Sequence, residues 1–531
     1  MNHKLLIVIL LLASFLRFYK LASFPVSLSW DEAAIGYDAF SIAKTGHDQY
    51  GKKFPILFQS FNDYKLPGYI YVDSIFVKAF DLSEFWVRFP SALFGTFAVF
   101  LIYLLFSKIL NQKIALSTSF LMAISPWHLQ FSRAAFESNA ALTIVLLGLT
   151  LIFYGFKNKI SALAAIPALS ISLYFYYSPR IFVPLILIII ALVYKKEITK
   201  NLKYFLAGTF IAGLILIPIA LMTLSSQGLK RIQEVSIFSD RSIIEPYVLA
   251  KASSRNPLAS IFLNRRIPLG FATLHGYFSH FSPGFLFFGD DPNPRHRSAF
   301  HGNLYILEMP FLLLGLWTLL KQKEKSKFFI LSWLLIAPIP AGLAREFPHG
   351  LRALLMLPAV LTLSGIGLTV ALKLRFAKFA VPLAFAIFVM NYLFTYYIVY
   401  PKMAGSAWAY GYKQAISQTS ALESSYDRII FTGSYWKPYI FYLFYNKINP
   451  DTFAKNRSET EIGKYRFGVA AWDSGRNFDL EEIEQLKSGR TLLVLSPQEL
   501  ASLKSKEKFQ EIKTIYSFPK ENEIFKISKW Q

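Results

Sequence analysis

Long apolar runs recur along most of the chain, near residues 5–19, 86–107, 114–127, 139–156, 160–177, 181–194, 204–224, 304–320, 328–343, 353–372 and 379–400. No soluble core of this size has room for eleven such stretches, whereas a hydrocarbon layer about 30 Å thick requires helices of roughly 20 apolar residues. The mean hydropathy of +0.39 agrees. These runs predict an α-helical polytopic membrane protein with about eleven transmembrane helices. The first run begins with Lys4 and could be a signal peptide, but Arg17, Tyr19 and Lys20 resemble interfacial anchors and no small-residue cleavage site follows at once, so a retained helix is expected.

The charges between the runs set sidedness. Counting from an inside N-terminus, alternate connections hold Lys108 and Lys113; Lys157 and Lys159; Lys195, Lys196, Lys200 and Lys203; Lys321, Lys323, Lys325 and Lys327; and Lys373, Arg375 and Lys378. Short, basic connections face the cytoplasm. The other set, about 20–85, 125–139, 225–303 and 344–352, then faces outward, as do residues 401–531. This divides the chain into a membrane module over 1–400 and an extracytoplasmic domain over 401–531. In the latter, strand-like Arg428–Phe431 and Thr491–Leu495 beside helical Asp479–Lys487 predict a small soluble α/β fold. The formal net charge of +23 is accounted for largely by this segregation and does not point to nucleic acid. With no cysteine, neither disulfides nor thiolate metal sites hold the outward parts together.

Three outward stretches carry candidate chemistry. The first has adjacent carboxylates, Asp31 and Glu32, after Ser29 and Trp30, then Tyr37, Tyr64 and Lys65-Leu66-Pro67. A base at a membrane surface can deprotonate a water-borne acceptor while a lipid-borne donor arrives from the bilayer. The plainer reading makes Ser29 an N-cap with two acids in the first helical turn. The second stretch places Arg133 and Glu137 four residues apart, which in one helix would form an ion pair. The third, 225–303, is rich in cations, among them Arg255, Arg265, Arg266, Arg295 and Arg297. Outward cations serve no topological purpose, so an anionic ligand is expected there.

This order of a first helix, Asp31-Glu32, Tyr37, Lys65-x-Pro67 and Arg133-x-x-x-Glu137 resembles the polytopic GT-C glycosyltransferases, in particular the protein O-mannosyltransferase and aminoarabinose transferase branch. Family members often carry Lys-Pro-Pro where this chain has Lys65-Leu66-Pro67, and Asp where it has Glu137. Gly289–Arg297 and Phe347–Arg352 are similar to bacterial members, which implies a bacterial plasma membrane, and the lysine segregation predicts the N-terminus inside and the C-terminus outside. The resemblance implies a polyprenyl-phosphate sugar donor and an acceptor hydroxyl on a protein, a lipid or a surface glycan. Asp31 would be the inverting general base, Glu32 would orient the acceptor, and Lys65 would clamp the donor phosphate, with Arg255, Arg265, Arg266, Arg295, Arg297, His349 and Arg352 as further phosphate candidates. Arg133 and Glu137 would form a second-loop site, and Tyr37 and Tyr64 would face the acceptor or the interface. The outward histidines and Asp290-Asp291 show no diagnostic ligand spacing, so the sequence supports no cofactor, although a divalent metal, used by some relatives in the wider superfamily, stays open.

Three other classes compete, one of them a catalytically dead membrane scaffold. A transporter or flippase of lipid-linked glycans would carry ionisable groups near the bilayer midplane, whereas Arg17, Arg88 and Glu308 fall near predicted outer ends. A polymer ligase with a lipid-diphosphate donor would use arginines of the large outward loop.

Overall fold

The computed structural model describes residues 2–61, 63–254, 263–435, 437–468, 490–504 and 506–530. Each expected apolar run coincides with helix. Among the described residues, five helical stretches are long and apolar enough to cross a membrane: Glu84–Ile109, Glu137–Gly155, Lys195–Thr223, Leu354–Ala371 and Ala377–Ala404. The other runs form shorter helices, some interrupted. The run at 114–127, for example, breaks at Ser125, which ends Gln112–Ile124 and caps Pro126–Ser132.

The chain divides into two compact units, and the division differs from the expected boundary at residue 400. One contains Met1–Tyr19 and Ser91–Thr395; the other contains Lys20–Pro90 and Tyr396–Gln531. The first outward loop therefore packs with the tail.

In the first unit, helix α1 (Asn2–Phe18) leads into a bundle of apolar helices. Glu308–Lys321 and Leu357–Ala371 approach backbone to backbone: a Cβ on Gly315 would meet the Leu363 carbonyl, and one on Gly367 would meet that of Phe311. Where lipid and leucine are equally apolar, such close packing of small residues holds helices together. Phe379 and Met390 are 82% and 66% exposed on the outer surface of Ala377–Phe394, as suits side chains that face lipid.

In the second unit, α2 (Trp30–Thr45), α3 (Pro67–Phe80) and the start of α4 (Glu84–Ile109) surround a two-stranded hairpin, β1 (Phe58–Ser60) and β2 (Asp63–Lys65). The tail adds β3 (Arg428–Phe431), β4 (Glu461–Ile462), β5 (Tyr465–Phe467), β6 (Thr491–Leu495), β7 (Phe509–Tyr516) and β8 (Glu523–Trp530). They form one sheet in the order β4-β5-β3-β6-β8-β7. Its centre is parallel, β3 lying beside both β5 and β6, and its edges are antiparallel. The helix expected over Asp479–Lys487 lies outside the described residues.

The loop and the tail are joined by apolar packing and by polar ties. A Cβ on Gly36 of α2 would lie 2.6 Å from both Phe444 and Val87, so only glycine permits this approach. The Tyr37 hydroxyl donates to the Ile448 carbonyl at 3.0 Å, the Tyr50 hydroxyl to Glu459 at 2.6 Å, and Lys413 to Glu84 at 2.7 Å.

Candidate functional site

The start of α2 concentrates four charged side chains. Ser29 is extended and accepts the Glu32 N–H, while the Glu32 carboxylate accepts the Ser29 N–H, a reciprocal capping box. Glu32 also takes two bonds from Arg88, Nε to Oε1 at 2.8 Å and Nη2 to Oε2 at 3.2 Å. Both partners are buried, and the remaining Arg88 donors reach the carbonyls of Leu21, Pro25 and Ser27. A bidentate pair with every guanidinium N–H used is the form in which a buried ion pair is tolerated. Glu32, expected to orient an acceptor, instead fixes the entry into α2.

Asp31 points elsewhere. Its side chain is 39% exposed, and its Oδ1 lies 2.6 Å from the Lys65 ammonium, which is only 9% exposed. Lys65 ends β2. Pro67 occupies the first turn of α3 with Leu66 extended before it, so the strand must stop there and the lysine is held at a fixed point. Its Nζ also lies 5.8 Å from the centroid of the Phe61 ring. The pair thus joins an accessible carboxylate to a nearly dehydrated cation.

Two turns along α2, Asp38 is fully buried and accepts the backbone N–H and side-chain amide of Gln49 at 3.0 and 3.1 Å. Burial pushes its carboxyl up to about 8; the Gln49 bonds oppose this and Asp48 reinforces it. Tyr37, expected to face acceptor or interface, is buried against Phe40 and Phe453 with its hydroxyl on Ile448. Tyr64 is half-buried in β2, opposite Gln59.

The other expected residues lie in the first unit. Arg133 ends Pro126–Ser132 and Glu137 begins Glu137–Gly155, so the two do not share a helix. Arg133 is 1% exposed and donates to the carbonyls of Leu16, Arg17 and Tyr19 at 2.6, 3.1 and 2.8 Å. Arg297 donates to the Gly289 carbonyl at 2.6 Å, and Arg352 donates to that of Arg345. Those guanidiniums brace loops. Arg295 is half-buried, Arg265 and Arg266 are exposed at the start of Arg266–Ser279, and Arg255 lies outside the described residues.

His349 belongs to a cluster that sequence spacing does not reveal. Asp291, His296 and His349 are all buried and offer donor atoms within 4.8 Å of one another. Asp291 Oδ2 accepts the Gly350 N–H at 2.5 Å and lies 3.2 Å from His296 Nδ1, while Oδ1 accepts the Asn293 N–H. Burial raises the Asp291 carboxyl, but His296 and these N–H groups outweigh it and leave it below its ordinary value. For His349, burial followed by the neighbouring His296, Arg352 and His280 pushes the imidazole well below its usual range. The behind-lying His280 has Nδ1 on the Gly276 carbonyl and Nε2 on the His349 N–H, so its ring proton must sit on Nδ1 and both nitrogens are used.

The comparisons with known proteins agree with this architecture. Residues 65–221 match the family model for dolichyl-phosphate-mannose-protein mannosyltransferase. No curated protein sequence matches the chain. Among solved structures it is similar to ArnT from Cupriavidus metallidurans bound to undecaprenyl phosphate, with a TM-score of 0.55 and 12% identity over 99% of this chain and 97% of that one. It is also similar to an Archaeoglobus fulgidus oligosaccharyltransferase tethered with an acceptor peptide, with a TM-score of 0.51 and 14% identity over 100% of this chain and 74% of that one. Of the same oligosaccharyltransferase in complex with zinc and sulfate, the chain spans 61% of the length. At these identities the structural likeness establishes a fold. Together with the family match over residues 65–221, it makes the chain similar to the GT-C glycosyltransferases of the mannosyltransferase and ArnT branch.

Proposed function

We propose that this protein transfers a sugar from a polyprenyl-phosphate donor to an acceptor hydroxyl at the outer face of a bacterial plasma membrane, with inversion at the anomeric carbon. The likeness to ArnT bound to undecaprenyl phosphate, the carrier left when such a donor gives up its sugar, supports this donor class. The single observation that carries the chemistry is the ion pair of accessible Asp31 with buried Lys65 at the capped start of α2.

In this reading the acceptor oxygen bonds to the anomeric carbon from the face opposite the phosphate. The carbon–oxygen bond to phosphate breaks with its electron pair, and Asp31 takes the acceptor proton. Polyprenyl phosphate departs as an anion, and Lys65, a compact point charge in a partly dehydrated site, stabilises the charge that builds on it. Glu32 and Arg88 position the base by holding the first turn of α2. Arg265, Arg266 and Arg295 remain proposed donor-phosphate contacts, and Tyr64 a proposed acceptor contact.

The test is to incubate purified protein with labelled polyprenyl-phosphate sugars and candidate acceptors. The proposal expects sugar transfer coupled to release of polyprenyl phosphate. Movement of the intact lipid across vesicles without release would instead identify a flippase.

A further inference from the structure

We infer that Asp291, His296 and His349 form a binding site for one zinc-class divalent ion that ties the Asp291–His296 loop to the His349–Arg352 turn. Two imidazoles and one carboxylate are the donor set that imidazole-preferring transition metals take, with a fourth position left for water or an anionic oxygen. Calcium and magnesium call for several oxygen ligands, and this cluster offers only one carboxylate.

The surroundings fit that assignment. All three side chains are buried, at 2%, 3% and 7% exposure, and the two imidazole rings lie with centroids 4.5 Å apart and planes tilted by 50°. The ligands are also oriented from behind, as in well-built metal sites. Gly350 and Asn293 fix the Asp291 carboxylate, His280 fixes the His349 backbone, and the His296 N–H bonds to the Asn293 carbonyl in a turn bearing Pro292 and Pro294. Around zinc, donor atoms stand about 3.3 Å apart. The Asp291 and His296 donor atoms already stand 3.2 Å apart, and all three donors lie within 4.8 Å of one another. Arg352, in the same turn, disfavours a loosely held cation and favours an anionic fourth ligand.

The test reads metal directly and does not depend on sugar transfer, so its failure and failure of the proposed function are separable. Full-length protein is purified in detergent with a histidine-free affinity tag and no chelator, and its metal content is measured by inductively coupled plasma mass spectrometry. We expect stoichiometric zinc. After chelation, cobalt(II) should give the intense visible bands of a four-coordinate site, and zinc, but not magnesium or calcium, should restore thermal stability. His296→Ala and His349→Ala should lose the metal, while His275→Ala, at an exposed histidine outside the cluster, should keep it. The wild-type cobalt spectrum needs no variant to fold. Substoichiometric zinc with only the weak bands of hydrated cobalt would overturn the assignment, as would unchanged metal content in both histidine variants.

Discussion

The start of α2 and the second outward loop both bring arginine or lysine together with an acid, yet the structure uses them in opposite ways. At α2, Lys65 and Arg88 are spent on carboxylates, and one of those carboxylates stays accessible. In the second loop, Arg133 is spent on three main-chain carbonyls and is closed to solvent. Identical residue types thus separate into a partly exposed ion pair and a buried staple, according to what the cation bonds and what water can reach. Even within Asp31-Glu32 the same rule applies, since Asp31 is 39% exposed while Glu32 is buried.

The contrast can be broken most severely at Arg88. Arg88→Met strands the buried Glu32 carboxylate, which costs about 3 to 5 kcal/mol when a buried pair loses one partner. Thermal unfolding in detergent should show a protein that is barely folded; near wild-type stability would mean the pair does not hold α2 in place. Lys65→Ala should act on chemistry, raising the donor concentration needed for half-maximal rate and slowing turnover by a combined amount of about 1 to 3 kcal/mol. Unchanged steady-state kinetics would leave Lys65 as a structural anchor. Arg133→Ala should do the reverse: a stability loss of about 1 to 3 kcal/mol from unsatisfied carbonyls, with turnover per folded molecule unaltered. A specific catalytic defect there would restore the second loop to the site.

The remaining prediction concerns pH. In the folded protein the Asp38 carboxyl is raised to about 8, chiefly by burial, whereas in the unfolded chain it ionises near its ordinary value of 3.8. Between those values the folded state binds the extra proton, so its contribution is fully present at low pH and is lost as pH rises toward 8. Asp38→Asn should therefore be more stable relative to wild type at pH 8 than at pH 5, as read from melting temperatures. Parallel pH curves would show that Asp38 is not held protonated.

Much of the helical layout was legible because apolar runs of membrane length leave few alternatives, and every expected run coincides with helix. Asp31, Glu32 and Lys65 were legible as a motif, but their division of labour was not. Whether Glu32 serves substrate or fold depends on Arg88, 56 residues away and itself embedded in an apolar run. The packing of the first loop with the tail was also hidden, because the bond from Tyr37 to Ile448 spans 411 residues and no local pattern records it. The Asp291, His296 and His349 cluster escaped for the same reason: its ligands come from two loops at a spacing that no short motif encodes.

The most direct measurement of the central claim is turnover of Asp31→Asn at saturating donor, alongside its melting temperature in detergent. Asparagine keeps the size of the side chain and is tolerated in a first helical turn, so the protein should fold and bind donor. Without a basic carboxylate, transfer should fall by the ~10²- to 10⁴-fold expected when a positioned base is lost. Wild-type turnover in a stably folded Asp31→Asn protein would contradict the assignment and reduce Asp31 to a favourable charge at the start of α2.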